Sequence, residues 1–112
     1  MPLKISEPWD IVVVPFPFTE KAVRKRRPAL VISKKEFNEN GHILLLMITT
    51  TQHHPWPGDT PISDLQSSGL NVDCIVRLKA FTLDNRLILK KIGHLTPSDR
   101  IQITEKFHQF IL

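Results

Sequence analysis

Arg24, Lys25, Arg26 and Arg27 form an unbroken run of cations that ends at Pro28. Like charges packed this closely repel one another, and a merely solvated surface intersperses them with acids. Lys21, Lys34 and Lys35 add to the cluster, so seven of the chain's 15 lysines and arginines fall within positions 21–35. Clustering of this kind favours a polyanionic partner, with nucleic acid first. Arg27 is the cation best placed for chemistry. The proline after it pushes it towards extended geometry, and a guanidinium on a rigid element grips phosphate through two parallel bonds without losing its charge. A second group comes from Met47-Ile48-Thr49-Thr50-Thr51, which sets hydroxyls at the end of another apolar stretch. An arginine and a hydroxyl at adjacent strand ends can hold a phosphate jointly and stabilise charge as it builds. Threonine is also a good strand former, so residue types alone do not decide the matter.

Such groups need rigid strands to carry them. Asp10 to Phe18 reads as a first strand, rich in valine, with Pro15 and Pro17 excluding a helix and marking an edge or bend. Pro28 to Ser33 reads as a second strand, apolar enough for burial on both faces. Lys34 to Gly41 forms a turn or short helical piece, and His42 to Thr49 is the expected central strand. Pro55, Pro57 and Gly58 break regular structure in the loop after Thr51. Short strands follow at Thr60–Ser63 and Cys74–Leu78, and Asp84-Asn85 has the chemistry of a tight hairpin turn. The best-marked element is the last. Thr96 suits an N-cap, Pro97 the first helical position and Asp99 a capping box. Ile103, Phe107, Phe110 and Ile111 then share one apolar stripe suited to packing on a sheet. A mainly β fold results: a small, strongly bent antiparallel sheet or partly open barrel with a C-terminal helix.

At 112 residues the chain suits one domain with a modest core. Its 41% hydrophobic content and formal net charge of +4 fit a globular, moderately basic protein. Cys74 is the lone cysteine, which rules out an intrachain disulfide and points to a reducing compartment. It sits among Ile and Val and reads as a small core residue. The first ten residues lack the apolar core of a secretion signal, and no apolar run approaches membrane-spanning length. The expectation is a cytoplasmic protein with no membrane contact. His53 and His54 adjoin, and no Cys or His falls at zinc-finger spacing, so no structural metal is expected. No glycine loop for phosphate occurs either.

Five segments, DIVVVPFPFTE, RRPALVIS, LLLMITT, GLNVDCIVRL and FTLDNRLILKKIGHLTPSD, resemble the PemK/MazF family in order and spacing over about 100 residues. These are toxins of bacterial toxin–antitoxin pairs, sequence-selective endoribonucleases on an SH3-like barrel, usually homodimers. The resemblance implies a metal-independent cut of single-stranded RNA: the 2′-hydroxyl attacks the adjacent phosphate, leaving a cyclic phosphate and a free 5′-hydroxyl, with no cofactor. It carries the catalytic arginine onto Arg27 and the catalytic threonine onto Thr49, with Thr50 fitting equally if the loop before His42 is aligned without a gap. Strand alternation sends the two hydroxyls to opposite faces, so one of them serves the Arg27 side. Arg24, Lys25, Arg26, Thr50, Arg77 and Lys79 are the expected RNA contacts, and a cognate antitoxin, acidic and partly disordered, is the expected protein partner.

Three features depart from the family pattern. Trp9 precedes Asp10 where relatives usually have glycine. The basic loop lacks the glycines common among them. Lys79 stands where some relatives offer a carboxylate near the equivalent of Arg77, which leaves the general base unassigned. That gap keeps a catalytically inactive nucleic-acid-binding barrel as an alternative. A gyrase-poisoning toxin of the CcdB type shares the fold, but its C-terminal Trp-Gly-Ile is missing from a chain that ends Phe110-Ile111-Leu112.

Overall fold

Valine- and isoleucine-rich segments become strands throughout the computed structural model, which describes residues 5–16, 25–51 and 54–112. The strands are β1 (Asp10–Phe16), β2 (Lys25–Val31), β3 (His42–Thr50), β4 (Thr60–Pro61), β5 (Cys74–Asp84) and β6 (Lys90–His94). Three helices join them: α1 (Lys35–Asn38), α2 (Leu65–Ser68) and α3 (Pro97–Phe110). All six strands belong to one antiparallel sheet in the order β4-β5-β3-β2-β1-β6. As expected, the apolar segment from His42 lies inside the sheet, between β2 and β5. Ala29, Leu30 and Val31 are buried on both faces.

The sheet is strongly curled because its ladders are interrupted. On β5 the pairing with β3 jumps from Arg77, opposite Met47, to Ala80, opposite Leu46. Leu78 and Lys79 therefore bulge out, which bends and twists a strand at that point. A second register shift falls between Ile11 and Val12 where β1 meets β6. Alternating side chains then feed two cores. Ile11, Leu30, Leu46, Ile48, Cys74 and Val76 pack with Leu95 and with Ile103 of α3. Val12, Val14, Ala29, Val31, Ile43, Leu45, Phe81 and Leu83 form the other.

Closure of the first core depends on two glycines. A β-carbon on Gly93 of β6 would lie 2.3 Å from the Ser67 carbonyl oxygen, and one on Gly69 would lie 2.1 Å from that of Ile92. Gly69 also ends α2 with a left-handed φ of 77°. The end of α2 thus rests directly on the backbone of β6, closer than any side chain permits.

Four expectations fail locally. The described part of β1 ends at Phe16, and Pro17 and Phe18 lie outside the described residues; β2 starts at Lys25, so the strand takes in three cations assigned to a loop. Asp84-Asn85 makes no hairpin, and β6 pairs with β1 instead. Asn85 is pinned by its backbone N–H to the Gly41 carbonyl (2.9 Å) and by its side-chain amide to that of Asn38, and a 3-10 turn over Asn85–Leu87 carries the chain across to the far edge. The Asp84 carboxylate accepts from the Arg86 N–H and guanidinium, which hold its pKa down at about 2. The capping box of α3 does not form, because Asp99 accepts instead from the backbone and hydroxyl of Ser63 at 2.9 and 2.8 Å. Of the apolar stripe on α3 only Ile103 is fully buried; Phe110 and Ile111 are exposed, although the Phe110 ring lies close to Gly58.

Trp9 takes the place of the family's glycine with a φ of 74°. Left-handed backbone costs a residue with a β-carbon about 1–2 kcal/mol. Its N–H donates to Val31 (2.7 Å), its carbonyl accepts from Leu95 (2.9 Å), and its side chain packs on the core, so the turn is kept against that cost. Cys74 is the core residue its neighbours suggested, and burial, aided by the charge of Asp73, pushes its thiol pKa up.

Gly93→Ala should lower unfolding stability by about 1–3 kcal/mol in urea denaturation, because backbone on both sides must move to admit one methyl. Iodoacetamide at pH 8 should label Cys74 slowly in the native protein and rapidly once urea unfolds it.

Candidate functional site

The β2–β3 ladder stops early. Its last rung joins Ala29 to Met47, although β2 reaches back to Lys25 and β3 on to Thr50. Pro28, without an N–H, stands at the next position and cannot donate to a rung. Two residues beyond the last rung stand Arg27 on one strand and Thr49 on the other. Antiparallel alternation gives both the sheet face of Ala29 and Met47. Neighbouring ladders agree: Val14 opposes Arg27, and Ile75 opposes Thr49. Thr50 opposes Cys74 and belongs to the reverse face, that of the first core. Thr49 is buried and Arg27 half-buried, so the pair lines an unzipped strand mouth rather than a flat surface.

One rung inward on the same face, Met47 opposes Arg77. Arg77 was expected to hold RNA. It is buried, with its guanidinium occupied: Nε and one Nη donate to the two carboxylate oxygens of Asp59 at 3.2 and 3.0 Å, and that Nη also donates to the His54 carbonyl at 2.8 Å. Its work is to hold the loop before β4. Asp59 also accepts from the Trp56 N–H (2.8 Å), and its own N–H donates to the Trp56 carbonyl (3.2 Å). Trp56-Pro57-Gly58-Asp59 is therefore a tight turn, with proline second and Gly58 third at φ 84°. The Arg77 guanidinium sits 4.9 Å from the centroid of the Trp56 ring, and Lys79 Nζ sits 5.8 Å from it. The β5 bulge brings both cations to one indole.

The family model for the PemK-like, MazF-like toxin of type II toxin–antitoxin systems matches residues 7–111. The chain belongs to the PemK/MazF-like toxins. Solved structures share its fold at low identity. A MazE–MazF complex from Deinococcus radiodurans superposes with a TM-score of 0.77 at 17% identity, covering 96% of this chain and 97% of that one. The Mycobacterium tuberculosis toxin MazF-mt6 gives 0.72 at 20% identity, covering 89% and 93%. A mycobacterial endoribonuclease in complex with its cognate antitoxin gives 0.74 at 15% identity, covering 93% and 92%. No curated protein sequence matches the chain.

In this PemK/MazF-like toxin the remaining expected contacts divide between surfaces. Lys25 and Arg26 are exposed at the start of β2. Arg26 opposes Pro15, the reverse of the face that Arg27 takes, and lines a cleft with Pro15, Arg86, Leu87 and Leu89. Lys79 is exposed beside Trp56. Arg24, Lys21 and His53 lie outside the described residues. Among the described residues no group of three His, Cys, Asp or Glu is close enough to hold a metal, and no helix is long and apolar enough to cross a membrane. Sequence reasoning missed Asp59. The Trp-Pro-Gly-Asp turn signal was present, but its meaning depends on a strand pairing that sets Asp59 one step beyond the Thr60–Val76 rung, opposite Arg77.

Removing one partner of a buried ion pair strands the other's charge. Asp59→Ala should therefore cost about 3 kcal/mol in urea unfolding. The double variant Asp59→Leu, Arg77→Met should cost less than either single change, a coupling that a double-mutant cycle reads directly.

Proposed function

We propose that this toxin is a metal-independent endoribonuclease acting on single-stranded RNA, with Arg27 and Thr49 as its catalytic pair. The observation that carries the reading is their position: both sit two residues past the last β2–β3 rung, on one face of the sheet, at a mouth flanked by cations. A phosphodiester entering there meets a permanent positive charge on one side and a hydroxyl on the other.

The reaction needs no group from outside. The substrate's 2′-oxygen bonds to the adjacent phosphorus, the bond from phosphorus to the 5′-oxygen breaks, and a cyclic phosphate remains. The proton of the 2′-hydroxyl leaves to a base, and the departing 5′-oxygen takes one up. Arg27 offsets the charge of the pentacoordinate phosphorane, which is stronger in the transition state than in the ground state. Thr49 fixes the phosphate by hydrogen bonding, and Lys25 holds flanking phosphates, giving affinity without sequence choice. Asp59 is committed to Arg77, so it is not assigned as the base. A cognate antitoxin with an acidic segment would cover the cations, a second copy would complete a homodimer, and the cytoplasm would supply the RNA.

Purified protein should cut single-stranded RNA in excess EDTA and leave cyclic-phosphate ends. Arg27→Ala should slow cleavage about 100-fold or more. Thr49→Val should slow it far more than Thr50→Val does. Intact RNA with the wild type, or equal cutting by the wild type and Arg27→Ala, refutes the assignment; tight binding by the wild type without cutting favours the inactive nucleic-acid-binding barrel.

A further inference from the structure

Trp56 is 43% exposed, yet its backbone is tied down at both its N–H and its carbonyl. Its N–H and carbonyl both bond to Asp59, Pro57 and Gly58 fix the turn beneath it, and a buried ion pair places a guanidinium against its ring. A tryptophan present for packing is normally covered; this one is braced and left open. Neither buried core includes it. Two cations stand over its ring, Arg77, paired with Asp59, and the exposed Lys79, a pairing of aromatic and charge that suits an unpaired nucleotide. Two strand spacings across and two residues along separate the Arg77 and Arg27 α-carbons by roughly 12 Å on a flat sheet. A short stretch of single strand spans that gap.

We propose that Trp56 is a stacking platform for an unpaired RNA base flanking the phosphate held at Arg27, with Lys79 on that nucleotide's phosphate. The assignment rests on the nuclease reading and adds a specific contact to it. Aromatic rings hold unpaired bases through their faces whatever the base, and cationic side chains close to the ring add to the attraction. Arg77 thus assists RNA binding through the indole, without touching RNA. Prior bracing by Asp59 means that little freedom is lost when the base arrives.

The test uses the full chain with a random-sequence single-stranded RNA, fully 2′-O-methylated so that it cannot be cut. Trp56→Ala should weaken binding by about 5- to 150-fold, the range found for one stacked base. Trp56→Phe should recover part of the loss. Neither change should alter the slope of log Kd against log salt, whereas Lys79→Ala should reduce it by about 0.7. In a Trp9→Phe background Trp56 is the remaining tryptophan, and RNA should quench its fluorescence. A wild type that binds no RNA overturns this proposal together with the nuclease reading. Wild-type binding with unquenched Trp56 emission, or unchanged affinity in Trp56→Ala, overturns the stacking assignment alone.

Discussion

The two residues of β5 that find no partner on β3 organise the functional half of the molecule. Before Leu78 and Lys79, β5 pairs with the end of β3 and with β4; after them, it pairs with the start of β3. A strand of uniform register would run flat between these partners. The mismatch bends it, so one strand lines both cores and turns Arg77 and Lys79 towards the loop that precedes β4. Bulges beside functional surfaces commonly re-aim side chains in this way. Here the re-aimed pair stands over the aromatic ring of the loop before β4.

That mouth and the brace are built by different means. At the mouth the agent is a missing donor: Pro28 cannot extend the ladder, so the strands part while each remains anchored by its other neighbour. At the brace the agent is charge. Arg77 and Asp59 are nearly dry, and a dry pair contributes little net stability against an apolar alternative. Its value is positional, since Asp59 holds the guanidinium, the Trp56 N–H and its own turn at once.

What the sequence disclosed follows the range of the interactions involved. Arg27 before Pro28, and threonines ending an apolar strand, are local patterns, and Arg27 and Thr49 fall on one face, two residues past the last β2–β3 rung. The order and length of β3 were equally plain, because its apolar run is long. The failures are cases where a distant partner outbid a near one. Asp99 has the spacing of a capping box but bonds to Ser63, 36 positions away. Asp84-Asn85 has hairpin chemistry, yet Asn85 is tied to the turn after α1. Asp59 looks like an ordinary turn residue until β4 and β5 pair. Trp9 is a further case, its local backbone preference overruled by bonds to Val31 and Leu95 and by a packed indole.

Consecutive residues of a strand point to opposite sides, and this ordinary fact divides the cationic run. Arg27 looks into the mouth with Val14 and Ala29, while Arg26 looks outward across Pro15. A stiff duplex resting on either surface meets one of these two guanidinia. Neighbouring guanidinia of one run are thereby presented to two sides of a single strand rather than pooled on one surface.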